Sequence, residues 1–267
     1  MYICAIANQK GGVGKTTTAH NLGVQLARNA EKRVLLLDLD AQGNLSDACG
    51  LDPQTLERTV FDVLAGNASI AEAKSTLEAG LDILPANIRL AEVELAFAGR
   101  MGRENLVKKA LASVAGEYDY VLIDCMPSLG MLTINALAAS DSVIVPVQAQ
   151  YLPAKGMTQL MKTIGKVQRQ INPALKVDGV LLTLADMRTN LARVTAESIR
   201  QNYGRMVKVY QTVIPVGVKA AETSAAGQSI YSYDKNSTVA KAYASFTREV
   251  VRDGERQRNK TASSRSR

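Results

Sequence analysis

The chain has 267 residues, of which 46% are hydrophobic, and its formal net charge is +7. This length and apolar fraction suit one large α/β domain, and no Pro/Ser-rich linker divides the chain. With no Trp and three Phe, aliphatic side chains and Ala must supply most of the core. No run approaches the roughly 18 apolar residues that span a bilayer, and no basic segment precedes the first apolar run, so neither a membrane span nor export is expected.

The cysteines and the lone histidine do not suggest catalysis. Cys4, Cys49 and Cys125 lack metal-ligand spacing, and two of them fall in predicted strands. Free buried thiols are therefore favoured over disulfides, which is typical of a cytoplasmic protein. His20 lies in the first predicted helix, where we expect a surface or packing residue and not a base.

A glycine-rich loop with the sequence Lys-Gly-Gly-Val-Gly-Lys-Thr-Thr lies between a strand predicted over residues 2–7 and a helix predicted over residues 16–29. It matches a shorter variant of the phosphate-binding loop, and a flexible turn is the alternative. Glycines let successive N–H groups face phosphate oxygens, and the helix N-terminus adds positive potential. Lys15 would reach the β- and γ-phosphates, and the Thr16 hydroxyl would join the coordination of Mg²⁺. The predicted nucleotide-binding residues of the loop are Lys10, Gly11, Gly12, Val13, Gly14, Lys15, Thr16 and Thr17.

Two further apolar runs end in aspartate. Residues 33–40 form a continuous run, typical of a parallel strand covered on both faces, that ends with Asp38 and Asp40. Residues 118–124 end with Asp124. Because ligands bind at the carboxyl ends of strands in open α/β sheets, these carboxylates and the phosphate-binding loop should converge. Asp124 is the predicted metal-site residue, and a strand-end aspartate that caps the next helix is the alternative.

The rest of the chain alternates strands and helices, which favours a single-domain, doubly wound, mostly parallel sheet over residues 1–251. A basic, disordered tail is expected over residues 252–267. Residues 42–52 are predicted to form turns and residues 213–219 a loop. Further strands are predicted at residues 81–85, 142–147, 176–185 and 206–209. Helices are predicted within residues 60–79 and at residues 90–98, 103–115, 155–171, 191–203 and 238–251.

With Lys10, the paired aspartates and the strand that ends at Asp124, the chain resembles the ParA/Soj partition ATPases. These belong to the deviant Walker A group of P-loop NTPases, which also contains MinD. The resemblance extends from residue 2 to about residue 251 and implies ATP and Mg²⁺ as cofactors. No DNA-binding domain precedes the loop, so the chain looks like the shorter, chromosome-type members. The matching motifs are at residues 8–17, 37–44, 119–130, 179–183 and 188–191.

The resemblance also implies roles for single residues. Lys10 matches the signature lysine that reaches across a nucleotide-sandwich dimer to the partner's phosphates, as an arginine finger does. Asp40 matches the residue that positions the attacking water, and Asp38 is expected close to the Mg²⁺ shell. Pro215 and Val216 fall in the loop that family members place against adenine. The implied catalytic residues are Lys10, Lys15 and Asp40, and the implied metal-site residues are Thr16, Asp38 and Asp124.

Three positions depart from the family pattern. Ala41 replaces the proline of Asp-Pro-Gln-Gly-Asn, and Met126 replaces the first of two prolines. The usual Ile-Pro-Arg-Asn-Val-Arg becomes Ile-Pro-Val-Gly-Val-Lys at residues 214–219. The last change removes an arginine near the nucleotide and the DNA-facing edge, where Lys219 keeps one charge.

The family resemblance implies an ATP-driven switch. ATP and Mg²⁺ bind, two subunits close face to face, and the homodimer binds double-stranded DNA of the nucleoid without sequence preference. Slow hydrolysis, stimulated by a ParB-like centromere-binding protein, resets the dimer. Affinity that rests on phosphate neutralisation should fall with salt. The candidate DNA contacts, for which a solvated charged face is the alternative, are Arg188, Arg193, Arg200, Lys219 and the basic tail.

The main alternative is a MinD-like, membrane-associated positioning ATPase. Such proteins end in an amphipathic helix with large apolar residues on one face. Residues 252–267 contain no Leu, Phe or Ile, so no membrane partner is expected. Two other superfamily branches also fit poorly, because Cys125 does not match the cluster ligands of iron-protein reductases and Tyr231 and Tyr233 do not resemble the tyrosine run of autokinases.

Overall fold

The computed structural model describes residues 1–149 and 154–265 of the chain. Within that part, eight strands form one sheet, and helices cover both of its faces. In chain order the strands are β1 Tyr2–Ile6, β2 Val34–Leu39, β3 Ser75–Glu78, β4 Leu81–Leu84, β5 Tyr120–Cys125, β6 Ser142–Gln148, β7 Lys176–Ala185 and β8 Val209–Pro215.

The order of the strands across the sheet is β3-β4-β2-β5-β1-β6-β7-β8. Neighbouring strands are parallel except for β3 and β4, which pair antiparallel. β1 lies between β5 and β6, so the loop that follows β1 opens at the carboxyl edge of the central strands. The predicted doubly wound, mostly parallel fold is confirmed.

Helices connect the strands and cover the sheet. None in the described part of the chain combines the length and apolar character that crossing a membrane requires. Short 3-10 helices at Ile88–Glu92 and Arg103–Asn105 precede the fifth and sixth helices. In chain order the helices are α1 Lys15–Ala30, α2 Asn44–Ala48, α3 Val60–Ala65, α4 Ile70–Ala73, α5 Val93–Ala96, α6 Leu106–Ala112, α7 Met131–Ala139, α8 Ala154–Gln170, α9 Asn190–Tyr203, α10 Val218–Ala225, α11 Ile230–Asp234 and α12 Thr238–Arg265.

Two hydrophobic layers sandwich the sheet. On β2, Leu35 and Leu37 face the layer that contains side chains of α3 and α6 to α9, whereas Val34 and Leu36 face the layer of α1 and α12. All four side chains are buried because successive residues of a strand point to opposite faces and both faces are covered. This arrangement explains why the strand sequences are continuous apolar runs.

The closing helix is fixed to the last strand of the sheet. The rings of Phe246 on α12 and Tyr210 on β8 meet edge to face, with centroids 4.9 Å apart. The Glu249 carboxylate accepts hydrogen bonds from the backbone N–H groups of Gln211 (3.1 Å) and Thr212 (3.0 Å). Aromatic packing and these charge-assisted bonds together seat α12 on β8.

The sequence-based predictions missed several elements, among them α7, α10 and α11. The helical prediction over residues 60–79 was wrong for β3, because four residues with the sequence Ser-Thr-Leu-Glu are too few to display a period, and pairing with β4 stabilises them as a strand. The turns predicted over residues 42–52 include the short helix α2. The Asp38 carboxylate accepts a hydrogen bond from the Ser46 backbone N–H (2.9 Å), a contact between segments that no local pattern displays.

Two boundaries also differ from the prediction. The strand expected at residues 206–209 begins at Val209 and continues to Pro215, so it occupies part of the predicted loop at residues 213–219. Proline is tolerated there because β8 is an edge strand among the described strands. The backbone of α12 continues to Arg265, into the segment where we expected a disordered tail. This segment carries one helix-breaking residue, Gly254. Residues 266–267 lie outside the described part of the chain.

The thiols and the histidine are packing residues, as predicted. Cys4 and Cys125 are buried, Cys49 is half-buried, and all three are free. His20 is buried on α1, with a relative exposure of 6%. Burial lowers the pKa of His20 from 6.5 to about 4, with smaller electrostatic contributions from neighbouring charged groups.

We predict that His20 destabilises the fold as the pH falls from 6.5 towards 4. In this window the unfolded chain binds the imidazole proton more tightly than the folded chain does. The free energy of unfolding therefore decreases as the pH decreases. The loss from this group should reach roughly 3 kcal/mol. Urea unfolding of the intact chain at both ends of the window measures it. The variant His20→Gln should lose less stability on acidification, and an identical loss in both proteins would contradict the prediction.

Candidate nucleotide-binding site

The glycine-rich loop joins β1 to α1 and requires glycine at two positions. Gly12 (φ 68°) and Gly14 (φ 81°) have left-handed backbone conformations that other residues rarely adopt. Gly14 is also the N-cap of α1 and forms no side-chain cap. The first turn of α1 is therefore open to an anion, which its N–H groups and helix dipole would bind.

Two hydrogen bonds fasten the loop to neighbouring strands, and a third closes a turn within it. The Asn8 side-chain amide donates to the Pro146 carbonyl on β6 (2.6 Å) and its oxygen accepts from the Lys10 backbone N–H (3.0 Å). Further along, the Thr183 hydroxyl on β7 donates to the Val13 carbonyl (2.8 Å). The loop is thus held at its start and near its end.

The two lysines of the loop occupy different environments. Lys15 is buried, and its Nζ donates to the Lys10 carbonyl (3.2 Å), so it bridges the loop from inside. Burial lowers the pKa of Lys15, and the nearby Asp124 carboxylate acts in the opposite direction. The Lys10 side chain is exposed, and its Nζ donates to the Gln148 side-chain oxygen (3.2 Å). Only Lys15 faces the subunit's own phosphate-binding position.

Asp124 lies beside the start of α1, as the sequence predicts for a metal-site residue. Its Oδ2 accepts a hydrogen bond from the Thr16 hydroxyl (2.6 Å), whereas its Oδ1 is buried and has no hydrogen-bond partner in the described part of the chain. Burial raises the pKa of Asp124 well above its usual range, and the Asp38 carboxylate adds to this effect. A positive charge placed at Oδ1 would stabilise the ionised form.

Asp38 stands opposite Asp124 in the register of β2 and β5, but its side chain is fully engaged. Its Oδ1 accepts from the Asp40 backbone N–H (3.0 Å), and its Oδ2 accepts from the backbone N–H and the hydroxyl of Ser46 (2.9 and 2.8 Å). Burial raises the pKa of Asp38 to about 6, although these hydrogen bonds act in the opposite direction and lower it. The structure therefore places Asp38 behind Asp124, where it positions the start of α2.

Asp40 lies on the surface of the cleft and is held in place by its neighbours. Its Oδ1 accepts from the Gln42 backbone N–H (3.0 Å), and its Oδ2 accepts from the Asn44 side-chain amide (3.0 Å). Only 7% of the residue is exposed. These bonds fix the carboxylate while leaving lone pairs for a further donor, such as a water molecule.

A cleft of about 660 Å³ lies at this edge of the sheet, which is within the size range of small-molecule sites. Asp40 lines it, whereas Asp38 and Asp124 are buried and do not. Of the predicted loop residues, Lys10 and Val13 do not line it, because Lys10 points to the surface and Val13 is buried beneath the loop. Pro215 and Val216 also line the cleft. Residues that the sequence reasoning missed also line the cleft: Asn44, Asp47, Pro127, Thr183, Leu184, Ile214, Gly217, Val218, Ala220, Ala221, Val239 and Tyr243.

The residues present fit a magnesium ion. The described chain contains no cluster of three or more His, Cys, Asp or Glu that could cage a metal. Mg²⁺ usually takes one or two carboxylates and completes its shell with phosphate oxygens and water. The Thr16 hydroxyl and the unpartnered oxygen of Asp124 match that requirement.

The comparisons with known proteins agree with this geometry. The family model described as AAA domain matches residues 1–177. The sporulation initiation inhibitor protein Soj of Bacillus subtilis is 45% identical, over 94% of this chain and 99% of that protein. The chain belongs to the Soj/ParA family of partition ATPases. Chromosome partitioning protein ParA of Caulobacter vibrioides is another relative, 43% identical over 96% of each chain.

A solved structure matches the whole fold of this family member. It is named cobyrinic acid a,c-diamide synthase from Mycobacterium smegmatis and contains bound ADP and magnesium. The TM-score is 0.84 at 39% identity, and the alignment covers 95% of each chain. The P-loop ATPase assignment thus has support from sequence, fold and site geometry together.

The predicted DNA contacts do not form one cluster of free charges. Arg188 pairs with Asp186 (2.8 Å), and Lys219 pairs with Asp234. Arg193 donates to the Asn190 side-chain oxygen (2.6 Å), and Arg200 is half-buried on α9. The carboxylate partners of Arg188 and Lys219 reduce the charge that these two side chains present to a polyanion.

We predict that Asp124→Asn abolishes most of the gain in ATP affinity that Mg²⁺ provides. The amide can still accept the Thr16 hydrogen bond but carries no charge for a cation, and a contact to a charged group is worth about 1.5–3 kcal/mol, or about tenfold or more in affinity. Calorimetric titration with ATP, with and without Mg²⁺, measures the effect. Asp47→Asn removes another cleft carboxylate and should preserve the Mg²⁺ dependence. An intact dependence in Asp124→Asn would exclude this residue from the metal site.

Proposed function

We propose that this partition ATPase is an ATP-driven switch whose nucleotide-bound homodimer binds double-stranded DNA without sequence preference. The observation that carries the proposal is the difference in position and contacts between the two loop lysines. Lys15 serves the subunit's own site, whereas the exposed Lys10 amine contacts only the neutral Gln148 amide among described side chains. An exposed cation beside the phosphate-binding loop is placed to reach phosphates bound by a second copy.

Hydrolysis in this switch depends on positioning. The carboxylate of Asp40, fixed by Gln42 and Asn44, would orient a water molecule towards the γ-phosphate. Mg²⁺, when bound, supplies charge neutralisation at the phosphate oxygens. Lys15 and the N–H groups of the loop hold the phosphates, and Lys10 of the second subunit stabilises the charge that develops in the transition state. Because full assembly requires the dimer, the isolated chain should hydrolyse ATP slowly.

For DNA, we propose a surface other than the one predicted from sequence. A groove of about 690 Å³, here called the basic groove, runs between α1, α11 and α12. Its cations Lys235, Lys241 and Arg248 pair with no carboxylate among the side chains that the structure describes. The buried Tyr231 hydroxyl in its wall has no hydrogen-bond partner within the same set. Phosphate oxygens could accept from the three cations.

The remaining partners follow from the family. A ParB-like centromere-binding protein would stimulate hydrolysis in the DNA-bound dimer, and the protein would associate with the nucleoid. A MinD-like role at the membrane is one alternative. A second is amide synthesis on cobyrinic acid, the activity given in the name of the Mycobacterium smegmatis structure. We favour partition because the Soj and ParA relatives are 45% and 43% identical, against 39% for that structure.

We predict opposite effects of two single substitutions on the switch. Asp40→Ala should lower ATP hydrolysis about 100-fold or more while keeping the ATP-bound dimer on DNA, because water is no longer positioned. Lys10→Ala should still bind ATP as a monomer but neither dimerise nor bind DNA. Size-exclusion chromatography, gel shifts with a DNA duplex and phosphate release, each with and without ATP, measure these states.

The same assays separate the alternatives. A stable ATP dimer of Lys10→Ala would reject the trans role of Lys10, and normal hydrolysis by Asp40→Ala would reject its role in positioning water. Pelleting of the wild-type chain with anionic liposomes in ATP, without retention on DNA, would favour the MinD-like role. Hydrolysis stimulated by cobyrinic acid but not by DNA would favour amide synthesis.

We predict that the basic groove and not α9 sets the salt dependence of DNA binding. The double variant Lys241→Ala/Arg248→Ala should lower the slope of log K against log salt by about 2, because each phosphate contact contributes about 0.9. A matched control, Arg188→Ala/Arg193→Ala, removes the same net charge from α9 and the turn before it, and should leave the slope close to that of the wild type. Fluorescence anisotropy of a labelled duplex at several salt concentrations measures both. Equal slopes in wild type and groove variant would place the DNA elsewhere.

A further inference from the structure

The contact between β7 and the phosphate-binding loop has a role that the family motifs do not assign. The Thr183 hydroxyl and the Val13 carbonyl are 2.8 Å apart although the residues are separated by 170 positions in the chain. Thr183 is 1% exposed, so its hydroxyl has no competing water. A buried hydrogen bond of this kind fixes the orientation of the groups that it joins.

The direction of this bond matters for phosphate binding. In a trans peptide the C=O and the following N–H point in opposite directions. When Thr183 holds the Val13 carbonyl, the N–H of Gly14 must therefore point away from β7. Gly14 lines the cleft and has a left-handed conformation (φ 81°), so this peptide could otherwise turn with little steric resistance.

The backbone of β7 is distorted at the residue that follows. Leu184 has φ 49°, one of two non-glycine residues with positive φ in the described chain, and β7 shifts register against β8 between Leu182 and Ala185. In a regular strand Thr183 and Leu184 would face opposite sides of the sheet, yet both line the cleft. Such conformations cost about 1–3 kcal/mol and persist where the surroundings enforce them, often at binding sites.

Thr183 also joins the loop to the strand that carries the partner of Lys10. Its backbone carbonyl accepts from the Ala149 N–H (3.1 Å), directly after β6. The neighbouring Gln148 accepts from Lys10. One residue thus connects the inner end of the loop, through Val13, with the environment of the signature lysine.

We propose that Thr183 is a positioning residue for nucleotide binding, which holds the Val13–Gly14 peptide with its N–H directed at the bound phosphates. Thr183 faces the loop by the ordinary alternation of β7, because Leu181 lies in the layer of α1 and α12 whereas Val180 and Leu182 lie in the other layer. The distortion at Leu184 brings the next residue to the cleft as well. The proposal rests on nucleotide binding by the P-loop and is independent of dimer formation and DNA binding. Its failure is therefore distinguishable from failure of the partition switch.

The test compares two substitutions at Thr183 in the full chain. Thr183→Val keeps the shape and removes the hydroxyl, which leaves the Val13 carbonyl unpaired and should weaken ADP binding about tenfold. Thr183→Ser keeps the hydroxyl and should bind ADP within about twofold of the wild type. Calorimetry with Mg²⁺ and ADP measures affinity. Steady-state kinetics should show a higher KM for ATP and a smaller change in kcat.

A matched control separates positioning from general destabilisation. The Ser140 hydroxyl donates to the Ala136 carbonyl at the end of α7 (2.7 Å) and is buried, so Ser140→Ala removes a similar bond away from the cleft. It should leave ADP affinity unchanged even if urea unfolding shows an equal loss of stability. Thr183→Ala provides a second hydroxyl-free variant if the valine protein does not fold. Wild-type ADP affinity in the hydroxyl-free Thr183 variants, or equal weakening by Thr183→Ser or Ser140→Ala, would overturn the proposal.

Discussion

The burial of two neighbouring carboxylates, Asp38 and Asp124, is the constraint on which the site depends. They stand in register on adjacent strands, and each raises the cost of ionising the other. The chain compensates them separately, with three donors around Asp38 and with Thr16 and the nearby Lys15 ammonium around Asp124. One oxygen of Asp124 has no hydrogen-bond partner among the described residues, and this unmet demand for positive charge supports the predicted cation site.

The same compensation connects the site to the surface. Ser46 donates to Asp38 and its hydroxyl oxygen also accepts from the Ala86 backbone N–H (2.9 Å), just after β4. A change in charge near Asp124 would alter the electrostatic balance that determines the ionisation of Asp38. Through the hydrogen bonds of Ser46, it would also affect the position of α2. Because Asn44 at the start of α2 holds Asp40, the residue proposed to position water lies on the same connected set of bonds.

The parts of the site that could be predicted are those encoded locally. The loop residues are contiguous, and the strand-end rule brought Asp40 and Asp124 to the same edge as Lys15. Thr183 escaped notice even though β7 was predicted with the observed bounds, because a hydrogen bond across 170 positions and a left-handed leucine leave no local pattern. The carboxyl-end rule, applied to β7 as it was to β2 and β5, would have singled out this residue.

The charged surface was less predictable than the core, since it depends on which charges find partners. Arg188 and Lys219 remain candidate DNA contacts, but each has a carboxylate partner that only the fold displays. Lys241 and Arg248 belong to the helix predicted at residues 238–251, and their common groove requires α1 as its second wall. Polyanion sites of this type are properties of tertiary structure, whereas glycine-rich phosphate loops are properties of sequence.

Glu249 has a further consequence for the solution behaviour of the chain. β8 ends the sheet, and a terminal strand with open main-chain donors can recruit a strand from another molecule and start uncontrolled association. The Glu249 carboxylate occupies the N–H groups of Gln211 and Thr212, and α12 covers the strand through Phe246. Self-assembly through sheet extension is thereby hindered at β8.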